Sequence, residues 1–138
     1  MTTRPLTLTD PDRTTIGQLL ASRNATAPEA RTLADLVVGL SESVVVHSSE
    51  ISPTVVTLNS RVRIRTLGTG AERVLTLVAG QSDLRAGRVS VFAPIGGALL
   101  GRREGDVVAC DVPAGRTQFQ IEAVLYQPEA AGAERVAA

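Results

Sequence analysis

Aromatic, sulfur and imidazole chemistry is scarce in this chain: no tryptophan, two phenylalanines, one tyrosine, one cysteine and one histidine occur in 138 residues. With Cys110 alone, no internal disulfide is available, and an apolar-flanked lone cysteine reads as a small buried hydrophobe. With His47 alone, a His-dependent catalytic triad has one candidate base and no alternative, and a metal centre would lack the further His or Cys ligands it needs. Neither cofactor nor metal is expected. No apolar run approaches the roughly 18 residues of a membrane span. The opening Met1-Thr2-Thr3-Arg4-Pro5 also lacks the basic and then apolar profile of a secretory signal, so a cytoplasmic protein without a membrane partner is expected. Lysine is absent, and every basic side chain is an arginine.

What is present is a globular balance of 43% apolar and 20% charged residues, the apolar share carried by Val, Leu, Ala and Ile. The formal net charge of zero gives the molecule as a whole no electrostatic attraction to DNA or anionic lipid. The distribution is uneven. Residues 61–103 hold eight arginines against two acids, between segments in which acids outnumber arginines.

Two helices are legible near the start. Asp10 is placed to cap the first, Pro11 suits its first position, Asp12 favours its dipole, and Ile16, Leu19 and Leu20 form a stripe. The first helix should end between residues 21 and 23. Thr26-Ala27-Pro28-Glu29 has capping-box spacing. Beyond it Leu33, Val37, Leu40 and Val44 recur at helical intervals, with Leu36 adjacent. A short connection makes residues 10–47 an expected antiparallel helical hairpin, its longer arm about 25 Å long at 1.5 Å per residue.

The polar stretch Ser48-Ser49-Glu50-Ile51-Ser52-Pro53 marks the expected boundary, with residues 1–52 the hairpin and 53–138 a second domain. Strict alternation in Arg61-Val62-Arg63-Ile64-Arg65 reads as a strand with three arginines on one face. Residues 72–78 should form its hairpin partner across Gly68-Thr69-Gly70, followed by strands at 88–92, 107–112 and 117–126. Phe119, Ile121, Ala123 and Leu125 are expected on one face of the last strand, and the tail from Pro128 to fray. The fold class is therefore α+β: an N-terminal antiparallel helical hairpin followed by a twisted antiparallel sheet with one short helix near Pro94.

Three segments then resemble a known family. Val55-Val56-Thr57-Leu58-Asn59-Ser60-Arg61-Val62, Pro94-Ile95-Gly96-Gly97-Ala98-Leu99-Leu100-Gly101 with Gly105-Asp106, and Tyr126-Gln127-Pro128-Glu129-Ala130-Ala131-Gly132 are similar to the Gre factors. Within that group they look most like the shorter subgroup of regulators of nucleoside diphosphate kinase. The resemblance covers about residues 53–132. It implies a C-terminal FKBP-like domain that sits at the rim of the RNA polymerase secondary channel and a coiled-coil hairpin aimed inside. It further implies a docking loop at Phe92, Ala93, Pro94 and Ile95, and a hairpin tip at Arg23, Asn24, Thr26 and Glu29. In the cleavage factors the tip carries an Asp and a Glu that help hold magnesium, since a hard cation needs oxygen ligands. Residues 22–28 here contain no carboxylate and Glu29 stands alone, so transcript cleavage is not expected.

The expected partner is RNA polymerase, with nucleic acid nearby in that complex and no small-molecule substrate. The resemblance also admits an action on nucleoside diphosphate kinase level or activity by another route. No enzyme activity of the chain's own is expected. An FKBP-like fold raises prolyl isomerase activity, but three aromatics cannot wall a proline pocket and also serve a core. Gly96-Gly97 and Gly101 lack the Lys and Ser or Thr of a phosphate loop, and read as close packing of a short helix. Arg61, Arg63 and Arg65, extended by Arg73 and Arg88, form a candidate basic face for an acidic patch of polymerase or for nucleic acid; the same alternation also describes an ordinary solvated sheet face.

Overall fold

A computed structural model describes residues 6–21, 27–112 and 115–131, with side chains placed outside 27–32 and 111–112. A short strand, β1 (Thr7–Thr9), runs directly into helix α1 (Asp10–Ala21). The cap falls one residue earlier than expected. Thr9 Oγ1, held by the extended backbone of β1, accepts the N–H of Asp12 at 3.3 Å, which moves Pro11 to the second helical position. Asp12 itself is buried and reaches across the fold to accept the N–H of Leu58 at 3.0 Å.

Helix α2 (Ala27–Ser41) presents a different seam from the expected one. Leu33, Leu36 and Leu40 are buried, whereas Val37 and Val38 are 56% and 54% exposed. Adjacent apolar residues left two registers open, and the helix turns its leucines toward the shared core rather than toward α1 alone. It also stops at Ser41 instead of continuing to residue 47. The Ser41 and Ser43 hydroxyls donate to the carbonyls of Val38 and Leu40, taking up groups the next helical turn would have needed. The β-branched Val44–Val46 then forms strand β2, which pairs parallel with β1. Val44, expected on the helical seam, lies on this strand and is 51% exposed.

Five further strands form one sheet: β3 (Arg61–Thr66), β4 (Glu72–Val78), β5 (Arg88–Ser90), β6 (Val107–Val112) and β7 (Gly115–Tyr126), in the order β5-β4-β3-β7-β6. The sheet is mixed, not wholly antiparallel as the sequence suggested. Strand β5 pairs parallel with β4, because the chain between them, including a 3₁₀ turn at Leu84–Ala86, is long enough to return it to the same end. Strand β5 also ends at Ser90, short of the expected residue 92.

Two register shifts against β3 interrupt β7, one passing over Glu122 and the other over Leu125. Each extra residue reverses the inward parity of the strand. Phe119 and Ile121 are buried as expected, but Val124 then packs against the core, and Leu125 is 46% exposed.

Helix α3 (Pro94–Leu99) packs under the sheet so closely that a Cβ on Gly96 would meet the Ser90 carbonyl oxygen. Gly101, at φ 73°, lies against Leu6, where a Cβ would come within 2.8 Å of the Leu6 side chain. Leu6, Leu8, Ile16, Leu33, Leu36 and Leu40 therefore share one core cluster with Val62, Ile64, Leu77, Leu99 and Ile121. Each fully buried leucine or isoleucine there contributes roughly 1.5–3 kcal/mol.

The tail does not fray over its described length. Helix α4 (Pro128–Ala131) follows β7, Gln127 Nε2 donates to the carbonyls of Ser52 and Val55 at 2.8 Å each, and Glu129 Oε1 accepts from Thr57 Oγ1 at 2.7 Å.

Candidate functional site

The segment Phe92, Ala93, Pro94 and Ile95 joins β5 to α3. Ser90 Oγ accepts the Phe92 N–H at 3.1 Å, turning the chain out of the strand, and Pro94 then opens the helix after an extended Ala93. Phe92 is wholly buried and belongs to the core. The surface this loop offers consists of the half-buried Ala93, Pro94 and Ile95.

On the outer face of the sheet, Arg61, Arg63 and Arg65 stand in one line along β3, opposite in direction to the buried Val62 and Ile64. Their surroundings differ. Arg63 Nε lies 3.4 Å from Glu122 Oε1 and Arg65 Nε 3.6 Å from Glu122 Oε2, while Arg65 Nη2 donates to Gln120 Oε1 at 2.9 Å. The register shift at Glu122 is what sets this carboxylate between two arginines of the neighbouring strand.

Glu72, across from Arg65 on β4, shares a hydrogen bond with Glu122. That bond, together with repulsion between the two carboxylates and slight desolvation, raises the Glu72 carboxyl above its ordinary value against the opposing pull of Arg63 and Arg65. Two of the three arginines thus share the one carboxylate of Glu122, with Glu72 in electrostatic reach of both. Arg61 has no ion pair among the described residues and is exposed.

Of the two expected extensions of this face, Arg88 lies on it and Arg73 does not. Arg88 pairs with outward-facing Thr76, whereas Arg73 pairs with inward-facing Ile64 and projects from the opposite side of the sheet.

Arg23, Asn24 and Thr26 of the expected tip lie outside the described residues, as does the side chain of Glu29, whose backbone is part of α2. Among the described residues no three His, Cys, Asp or Glu side chains gather in a way that would hold a metal ion, and no helix is long and apolar enough to cross a membrane. His47 is exposed and starts a 3₁₀ turn, its Nδ1 accepting the Ser49 N–H at 3.2 Å. Cys110 is buried.

The residues that sequence reasoning missed meet at one loop. Thr57 N–H donates to Ser60 Oγ at 2.9 Å, Ser60 N–H returns to the Thr57 carbonyl at 3.0 Å, and Asn59 adopts φ 68° between them. This tight turn, bonded to Asp12, Glu129 and the Leu77 carbonyl, brings Thr-Leu-Asn-Ser and Tyr-Gln-Pro-Glu together in space. An Asn beside Ser was the available signal for the positive φ; its distant partners left none.

Comparison with known proteins matches residues 51–126 to the family described as "Transcription elongation factor, GreA/GreB, C-term". The chain is 46% identical over 86 residues to the regulator of nucleoside diphosphate kinase of Escherichia coli K12, a segment that is 60% of this chain and 62% of that protein. It is 35% identical over 101 residues to the transcription elongation factor GreA of Christiangramia forsetii, covering 69% of this chain and 64% of that one. Among solved structures it is similar to a GreA/GreB elongation factor from Nitrosomonas europaea, with a TM-score of 0.74, 33% identity, and coverage of 89% of this chain and 99% of that one.

Proposed function

This chain belongs to the GreA/GreB family of transcription elongation factors, and on that premise we propose that it regulates transcription by docking on RNA polymerase at the rim of the secondary channel, without stimulating transcript cleavage. The observation that carries this reading is the combination of a family match across residues 51–126 with a sequence that holds no carboxylate over residues 22–28. One acid at Glu29 cannot reproduce a paired oxygen site for magnesium, so the chain adds no metal to the polymerase centre. In this reading residues 53–138 form an FKBP-like docking unit, and within residues 1–52 the helices α1 and α2 form the hairpin arm that occupies the channel while sharing the unit's core. Ala93, Pro94 and Ile95 supply shape and apolar contact at the rim, with Phe92 supporting them from beneath. The protein acts in the cytoplasm, near but not on nucleic acid, and holds no cofactor.

Binding to purified RNA polymerase, with and without a competing cleavage factor, tests the reading. The expected result is association, displacement by the competitor, and no increase in transcript cleavage by stalled complexes. Absence of association overturns docking; stimulated cleavage overturns the inert tip.

A second reading is favoured by the name of the 46% identical relative, a regulator of nucleoside diphosphate kinase. Here the chain would change the level or activity of that enzyme without polymerase. Kinase activity and transcript, measured with and without the protein, separate the two: a change in kinase activity at constant transcript supports the second.

A further inference from the structure

Four residues form one lateral row across four strands on the outer face of the sheet: Arg88 on β5, Thr76 on β4, Arg61 on β3 and Tyr126 on β7, joined in register as Arg88 to Thr76, Thr76 to Arg61, and Arg61 to Tyr126. At about 4.8 Å between strands the row is roughly 14 Å long. Arg88 and Arg61 are exposed, and Tyr126 is 44% exposed. Val74 and Leu125, close to the row on β4 and β7, are 40% and 46% exposed.

The face is electrically divided. At the far end of β3 Arg63 and Arg65 both pair with Glu122, with Glu72 in electrostatic reach, whereas at the near end neither Arg61 nor Arg88 forms an ion pair among the described residues, although Asp83 stands opposite Arg88 across an isolated antiparallel bridge.

Resting on the polymerase-docking reading, we infer that the row Arg88-Thr76-Arg61-Tyr126 is a second docking surface, and that its occupant is an acidic protein segment of the polymerase. Exposed arginines that form no ion pair, beside an exposed tyrosine and apolar side chains, are the composition of a protein-binding hot spot, not of a simple solvated face. Charge complementarity selects an acidic partner. A nucleic-acid strand fits less well, because its phosphates would run on toward Glu72 and Glu122, and because one tyrosine gives no succession of stacking platforms. A protein segment can place its acids over Arg61 and Arg88 and neutral or polar groups over the matched half.

The test measures binding of the full chain to purified RNA polymerase, at low and at moderate salt, for wild type, the double variant Arg61→Glu/Arg88→Glu, Tyr126→Ala, and Arg73→Glu. Arg73 has the same charge on the same sheet but projects from the opposite face, so it controls for general charge effects. Circular dichroism and a denaturation midpoint confirm that each variant is folded.

Expected are a loss of about tenfold or more for the double variant, narrowing as salt rises, a loss of several-fold for Tyr126→Ala, and less than about twofold for Arg73→Glu. If wild type binds and the double variant binds equally well, or Arg73→Glu is weakened as much, the row is not the surface and docking stands without it. If the double variant instead loses affinity for a single-stranded RNA oligonucleotide while binding polymerase normally, the occupant is nucleic acid and the inference is overturned. If wild type does not bind polymerase, the parent reading falls first and this one with it.

Discussion

The Asp12 carboxylate, three residues into the first helix, accepts the backbone N–H of Leu58 at 3.0 Å, tying the start of the chain to the loop that opens the sheet. Both residues are buried, so the bond forms where water cannot replace it. Asp12→Ala is expected to lower stability by about 2 kcal/mol, the range for a hydrogen bond to a charged acceptor whose loss leaves a buried donor unpaired. Thr9→Ala, which removes the helix cap and a buried methyl group, should cost about 1–2 kcal/mol. Urea denaturation midpoints check both, and an Asp12→Ala midpoint equal to wild type would contradict the packing of α1 described above.

The turn at Thr57 is held from the other end of the chain as well, by Glu129. A double-mutant cycle of Thr57→Val and Glu129→Ala is expected to give a coupling of about 1 kcal/mol or more, measured by denaturation. Additive effects would mean that α4 contributes nothing through this bond.

Helix α2 offers a direct comparison of neighbours. Leu36→Ala should cost about 2–4 kcal/mol because it opens a cavity in the common core, whereas Val37→Ala should stay within about 0.5 kcal/mol. Thermal or urea unfolding distinguishes them, and the reverse ranking would restore the seam that periodicity alone suggested.

Glu72 gives a pH dependence whose sign is fixed by its neighbours. Its folded-state carboxyl is raised, chiefly by the hydrogen bond and repulsion from Glu122, so the folded chain takes up the proton before the unfolded chain does. The contribution to stability is therefore full below the ordinary glutamate value and is lost as pH rises through the raised one. Glu72→Gln should be at least as stable as wild type at neutral pH, with the advantage shrinking as pH falls through this window. Denaturation midpoints at a series of pH values read it, and an advantage that grows toward low pH would reverse the assignment.

Two glycines should respond in opposite directions. Gly96→Ala places a Cβ against the Ser90 carbonyl and is expected to abolish folding or cost more than about 4 kcal/mol. Gly17 lies within α1 with open space where its Cβ would be, so Gly17→Ala should stabilise by about 0.5–1 kcal/mol. Both are read from soluble yield and melting temperature.

Residue patterns alone determined the two helices, the alternating arginine strand, its hairpin partner, the short helix after Pro94, and through the quoted segments the family. Each of these depends on neighbours within a few positions, where backbone sterics and side-chain period act directly. Tertiary structure decided what the period could not: that Leu36 rather than Val37 faces inward, that β5 lies parallel to β4, and that Leu125 turns outward after two register shifts. It also decided the character of the candidate basic face, because Glu122 is far from Arg63 and Arg65 in sequence and reaches them only through strand pairing and a local bulge. A strand's alternation records which way its own side chains point. Which charges stand opposite them is set by partners brought in from elsewhere in the chain, and that choice is made when the sheet assembles.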